Sequence, residues 1–165
     1  RNVRLHARVA QALEELYGVD ADAAQLAHHY SEAEAILGSE NLARYSLLAG
    51  ERALASYAYE DALAHFERGL VTRGIPLLGT EEAPDEEAAA FLFGLARARS
   101  GAYDQSQLGE AFAALSRAFE YYFEAKNVAQ AIFVAEYPIA GPGAPITGIA
   151  QLIARALTLV RPDSH

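Results

Sequence analysis

The sequence predicts an all-α protein, a stack of antiparallel helical hairpins with about eight helices in a single domain. Three observations carry that expectation. Apolar residues recur at three- and four-residue intervals along most of the chain, Gly and Pro fall between those runs, and no useful length shows period-two alternation. The chain is also rich in alanine and lacks Trp, Met and Cys. Alanine has the best helix propensity, and its small side chain lets two helices approach closely.

The elements follow in order. Val9, Ala12, Leu13 and Leu16 fall 4, 7, 8 and 11 residues after Leu5, marking one face of a first helix that ends near Gly18. Asp20 is placed to cap a second helix with Leu26, Tyr30, Ala33 and Leu37 inward. Gly38 closes that helix, and Ser39 is placed to cap a third, with Ala43, Leu47, Gly50, Leu54 and Tyr57 on one face. A break at Tyr57–Tyr59 precedes a fourth helix with Leu63, Phe66 and Leu70 inward. Residues 1–76 make a first half, 77–83 a linker and 84–165 a second half. Pro84 suits a helix's first turn, and Glu81, Glu82, Asp85, Glu86 and Glu87 suit the positive end of its dipole. That fifth helix runs to about Ser100. Gly101 and Gly109 bracket a polar loop, and Phe112, Leu115, Phe119 and Tyr122 mark a sixth helix. Asn127 is placed to cap a seventh, which must stop near Tyr137 because Pro138 follows. After a loop rich in Gly and Pro, the eighth carries Ile149, Ile153, Ala156 and Val160.

One pattern repeats: a small residue, a large apolar one four later, and a small one three further on. It occurs as Ala62-x3-Phe66-x2-Gly69 and as Ala111-x3-Leu115-x2-Ala118, and Ala43-x3-Leu47-x2-Gly50 is a third instance. Small residues let the two helices of a hairpin close up while the large one fills the groove between them. Such a unit cannot bury its own faces, so several must stack. The run Tyr57–Leu70 closely resembles the second helix of a tetratricopeptide repeat, and Gly50 resembles the small residue of that repeat's first helix. The resemblance is good over Leu42–Leu70 and fair over Glu87–Phe123, where Asp104–Gly109 looks like an insertion. It is weak over Val128–Val160, and the repeat's usual Trp is missing throughout. It implies a right-handed tetratricopeptide-like α-solenoid.

A second resemblance covers nearly the whole chain. Arg4-Leu5-His6-Ala7-Arg8-Val9-Ala10, Leu26-Ala27-His28-His29-Tyr30 and Leu48-Ala49-Gly50-Glu51-Arg52-Ala53 resemble the helical segment that follows the nucleotide-binding domain of large bacterial signalling ATPases. Those multidomain proteins often carry a LuxR-type DNA-binding domain or a nucleotide cyclase domain. The resemblance implies a cytoplasmic regulatory protein in which this region senses an inducer or a partner. The chain starts at Arg1 and stops just after a helical run, as a piece of such a protein would. No Gly-x4-Gly-Lys-Ser/Thr occurs, so no nucleotide chemistry comes with the resemblance.

Composition narrows the function classes. With 22 acidic against 13 basic residues and a net charge of −9, the chain lacks the basic face that nucleic acid or an anionic membrane needs. Without cysteine there are no disulfides or Cys-ligated metals, which is compatible with a reducing compartment. His28 and His29 sit about 100° apart on a helix. They do not converge, and no His lies at the i+4 position, so they are expected as packing or surface residues with no metal and no cofactor. Glu14-Glu15, Glu60-Asp61 and Glu81-Glu82 show no sign of facing across a cleft, so no catalytic residue is expected. A partner surface is expected on the exposed sides of the third and fifth helices, from Arg44, Leu48, Glu51 and Ala55 and from Phe91, Leu95 and Arg99. That mixture suits an apolar peptide, an amphipathic helix or another domain of the parent chain. The run Pro138–Pro145 reads first as a loop joining two helices; the alternative is a ligand or hinge loop, with Pro138, Gly141, Pro142 and Gly143 as its residues and a small-molecule effector as its ligand.

Overall fold

A computed structural model describes residues 3–17, 22–102 and 104–160, without the side chains of residues 17 and 33–37. Its α-helices are α1 (Val3–Tyr17), α2 (Ala23–Leu37), α3 (Ser39–Ala55), α4 (Tyr59–Thr72), α5 (Glu86–Gly101), α6 (Leu108–Glu124), α7 (Val128–Ala135) and α8 (Ile146–Val160). A 3₁₀ turn, Gln105–Gln107, leads into α6. Among the described residues there is no strand. Each helix packs on the next, α3 also meets α5, and α6 also meets α8. Contacts between neighbours and next-neighbours are what a stack of hairpins makes, and the all-α expectation holds, with eight α-helices among the described residues.

The hairpin ends are built from backbone. After α3, Ala58 N–H bonds to the carbonyl of Ala53 and Tyr57 N–H to that of Leu54. After α4, Ile75 and Gly74 do the same to Leu70 and Val71, and after α6 Asn127 and Lys126 do it to Tyr122 and Phe123. This six-to-one and five-to-two pairing satisfies carbonyls that a helix end otherwise leaves open. It places Tyr57, Gly74 and Lys126 at φ 59°, 69° and 55°, respectively. Tyr57 is therefore outside the helix and 77% exposed, and does not extend the inner face of α3.

Helix starts differ from expectation in detail. Asp20 lies outside the described residues, and Asp22 Oδ1 accepts from the amides of Ala24 and Gln25. Ser39 is the first residue of α3 rather than its cap; the cap position is Gly38, which carries no side-chain acceptor. Pro84 precedes α5 instead of opening it, because Asp85 takes the cap and accepts from the Ala88 amide. Gly109 falls in the first turn of α6, since the 3₁₀ turn has already started the chain winding. Asn127 caps α7 as expected, accepting from Gln130.

Two apolar cores fill the stack. Ala10, Leu26, Ala27, Tyr30, Leu42 and Tyr45 form a small one at the amino end. The larger runs from Ala43 to Ala156 and includes Ile75 and Ala83 at the borders of the expected linker. The change of core therefore falls within α3, and residues 77–83 are a connection inside one core. Arg117 on α6 holds that connection, donating from Nε to the Glu81 carbonyl at 2.6 Å and from Nη1 to that of Pro76 at 2.7 Å.

Two helices are turned part of the way from expectation, although Leu13 of α1 and Ile149 and Ala156 of α8 pack inward as expected. On α1, Leu5 and Leu16 are 52% and 75% exposed, while Ala7 and Ala10 are buried. The alanine side gives the closer approach to α2, and the contact takes that side. The side chains of Ala33 and Leu37 lie outside the described set. On α8, Leu152 and Ala156 are buried, whereas Ile153 and Val160 of the expected inner face are largely exposed.

At the centre of the larger core, Phe66 of α4 is fully buried between two glycines. A methyl group on Gly50 of α3 or on Gly94 of α5 would stand 2.5 Å from the Phe66 ring. Phe91 sits against Gly69 in the same way, and the rings of Phe66 and Phe91 meet edge to face with centroids 6.4 Å apart. Gly50→Ala should therefore lower stability by about 1–3 kcal/mol, the usual cost of overpacking. Gly109→Ala, where the added methyl meets nothing within 4 Å, should raise it by about 0.5–1 kcal/mol by helix propensity alone. Urea denaturation of the two variants reads these opposite signs directly.

Candidate functional site

The exposed side of α3 carries the first group of expected partner residues. Arg44, Leu48 and Ala55 are exposed and Glu51 is half-buried. Arg44 is engaged: its Nη2 donates to Glu14 of α1 at 3.0 Å and to the Tyr45 hydroxyl at 3.3 Å. The Tyr30 hydroxyl of α2 donates to the same carboxylate, and the Tyr30 and Tyr45 rings stack at 5.4 Å. One polar knot thus ties α1, α2 and α3. The Tyr30 hydrogen bond, followed by the smaller pulls of Tyr45 and Arg44, holds the Glu14 carboxyl below its usual range against the opposing effect of burial. Glu51 makes a two-pronged ion pair with Arg97 of α5, whose guanidinium lies 4.3 Å over the Phe93 ring.

The second group lies elsewhere. Phe91 and Leu95 are 0% exposed and Arg99 is 5% exposed. They are core residues, so the expected contribution of α5 to a partner surface is corrected. The reason is that α5 has α3, α4 and α6 around it. A helix enclosed on all sides has no outward stripe for periodicity to reveal. The α5 residues that do border the α3 surface are Arg97 and, behind it, Phe93.

Pro138, Gly141, Pro142 and Gly143 are exposed, as expected, in the loop from α7 to α8. Ile139 is buried and anchors that loop, and a turn bond joins Ala144 N–H to the Gly141 carbonyl. Gly141 and Gly143 take φ of 144° and 89°. A mostly apolar groove of about 370 Å³ opens on a different surface, between residues 80–82 and the outer side of α6. Phe112, Ala113 and Ser116 line it, with Thr80, Glu82, Glu120 and the buried Arg117 around them. Among the described residues Arg117 Nη2 has no hydrogen-bond partner. Burial pushes its pKa down, with only Glu81 opposing. Sequence spacing could not show this groove, because the residues 77–83 segment reads as a linker.

His6 of α1 lies against both His28 and His29 of α2, with ring centroids 5.7 and 5.1 Å away. The His6 and His29 Nδ1 atoms are 2.9 Å apart. One must donate and the other accept, so the two rings share a single proton. Burial, then His6 and His28, keep His29 below its ordinary pKa. The His28 and His29 rings also meet edge to face with centroids 5.4 Å apart, so, against the expectation from helix spacing, all three rings form one cluster across α1 and α2. Among the described residues no group of three or more His, Cys, Asp and Glu gathers around one metal position.

These surfaces define an all-helical hairpin stack with a charged and apolar exterior, and no described helix is long and apolar enough to cross a membrane. Compared with models of protein families, with curated proteins and with solved structures, the chain matches none.

The knot at Glu14 has a pH signature. Its carboxyl is depressed from 4.5 in the folded protein, so its contribution is complete above 4.5 and is lost as pH falls through the folded value. Glu14→Gln should cost about 1 kcal/mol near pH 6, modest because the carboxylate is partly exposed. The difference from the wild type should shrink as the pH drops below 4.5. Denaturant unfolding followed at several pH values measures it.

Proposed function

We propose that the chain is a non-catalytic protein-interaction and signal-coupling module of a cytoplasmic, multidomain bacterial regulator, a transcriptional regulator of the LuxR-linked kind. The observation that carries this reading is an apolar stripe on α8. Ile146, Ile153, Leu157 and Val160 are 76%, 37%, 54% and 50% exposed, and Ala150 between them is exposed too. Successive spacings of 4, 3, 4 and 3 residues put these five along one side of the helix. A side of that spacing pairs with another amphipathic helix. The flanking Thr147, Gln151, Ala154 and Thr158 carry no charge that would oppose such a helix. The resemblance to the helical region of signalling ATPases supports the regulatory setting. Binding along the stack would bias how its hairpins sit, and that bias would reach the other domains as a population shift.

The test is Ile153→Glu/Leu157→Glu in the full-length regulator. Both side chains are substantially exposed, so helix content should persist while effector response or assembly falls at least about ten-fold, the factor that a 1.4 kcal/mol loss produces. Unchanged response and assembly in the folded variant would sink the reading.

A second reading, small-molecule sensing by the same kind of regulator, is favoured by the groove over Phe112. Its volume suits a small ligand with an apolar body, and Glu82 and Glu120 at its border disfavour an anionic one. A thermal-shift screen of neutral aromatic and aliphatic compounds should find ligands that raise the Tm of the wild type. Phe112→Ala should lose that rise, and equal shifts in both proteins would place binding elsewhere.

A further inference from the structure

We infer that His6, His28 and His29 form an acid-sensitive latch between α1 and α2, closed while the cluster is neutral and opened when His6 and His29 are both protonated. The geometry sets how many protons the contact tolerates. In the neutral pair one ring carries its proton on Nδ1 and donates across 2.9 Å, and the other carries its proton on Nε2 and accepts. A first added proton has a place to go, the free Nε2 of the donating ring. The hydrogen bond then survives as an imidazolium donating to an imidazole. A second must go to the accepting Nδ1, whose lone pair the bond already uses. Two N–H groups on two cations would then point at each other, and the rings have to part.

The surroundings work in the same direction. The His28 centroid lies 5.7 Å from that of His6 and 5.4 Å from that of His29, so a charge on any ring disfavours a charge on the next. Burial, then His6 and His28, hold His29 below its ordinary pKa, and no carboxylate acts against them. Glu32 follows His28 and His29 by four and three residues on α2, but it is exposed and is not among the groups acting on His29. On α1, Arg4 and Arg8 are exposed and stand two residues either side of His6, a spacing that turns them from its face. On α3, the other helix packed on α2, Arg44 is bonded to Glu14. No α3 group acts on His29. Both rings of the pair are half-buried, so water can deliver the protons.

The fold keeps the release local, because α1 and α2 share only the small amino-end core while α3 to α8 share the larger one. The folded pKa of His29 lies below 6.5, so the unfolded chain takes that proton more readily. The latch therefore contributes fully above 6.5 and is lost as the pH falls below it. Glu14 is depressed below 4.5, so its knot still holds over the range in which the latch opens.

The test is amide hydrogen exchange of the whole chain at about pH 7.5 and about pH 5.5, corrected for the intrinsic exchange rate. Protection of α1 relative to α5 should fall at least about three-fold in the wild type at the lower pH. His29→Gln can still bond His6 but cannot charge, so its α1 protection should not change between the two conditions. If that variant does not fold, ring 15N shifts of the wild type decide: the accepting Nδ1 should gain its proton over the same pH range in which α1 loses protection. Unchanged α1 protection in the wild type, an equal loss in α5, or a full pH response in folded His29→Gln overturns the latch. So does full protonation of both rings with α1 still protected.

Discussion

The fit of the Phe66 ring between Gly50 and Gly94 sets the distances on which the larger core depends. A Cβ at either glycine would come to 2.5 Å from the ring, so α3, α4 and α5 can close up only because both positions lack one. The same device recurs along the stack. Phe91 lies on Gly69, Tyr59 on Gly101 and Phe112 on Gly148, each ring occupying the space that a side chain would have filled. Close packing of this kind is intolerant of rotation or sliding, because interiors at crystal-like density have no room for either. Fixing Phe66 and Phe91 in turn fixes which side of α5 faces α4. With α3 and α6 also against it, the remaining sides of α5 are closed as well.

The charged residues follow the geometry that the rings impose. Glu51–Arg97 joins α3 to α5, Glu120–Arg155 joins α6 to α8, and Arg73 joins the end of α4 to Asp85 and Glu87 at the start of α5. All are partly exposed, so each contributes little stability, on the order of 0–1 kcal/mol. Their more specific effect is to favour one pairing of helices over its neighbours. Arg155 does this with packing as well as charge, lying 4.5 Å over the Phe123 ring. Arg117 is different. Buried and bonded to two carbonyls rather than to a carboxylate, it substitutes protein acceptors for water along a connection that has no helix of its own.

What could be read from the sequence depended on how many neighbours each helix has. In α4, Ala62-x3-Phe66-x2-Gly69 was legible because all three residues are buried, and the spacing records that face directly. In α6, Leu115, Phe119 and Tyr122 behave likewise. In α5 nearly every position is apolar or small, so periodicity offered no face, and Phe91, Leu95 and Arg99 were misplaced outward. In α1 two faces competed, one of leucines and one of alanines. Only the approach of α2 decides between them, and no local pattern encodes that approach. The same holds for the surfaces: Arg44, Leu48 and Ala55 are exposed where α3 spacing put them, while the groove over Phe112 and the His6–His29 contact join segments distant in sequence.

The two cores give the stack unequal parts. Leu42 and Tyr45 of α3 belong to the amino-end core, and Ala43, one residue away on the helix, belongs to the larger one. The hairpin of α1 and α2 is therefore attached through one face of α3 and through the Glu14–Tyr30–Arg44 knot, whereas α3 to α8 share continuous apolar packing. A disturbance at α8 travels through packed rings and small residues with little room to give. One at α1 meets a smaller core whose polar fastening responds to protons. The two ends are therefore physically unlike: the α3–α8 body rests on continuous apolar packing, and the amino-end hairpin rests on a smaller core and on a knot whose Glu14 carboxylate stops contributing only as the pH falls well below 4.5.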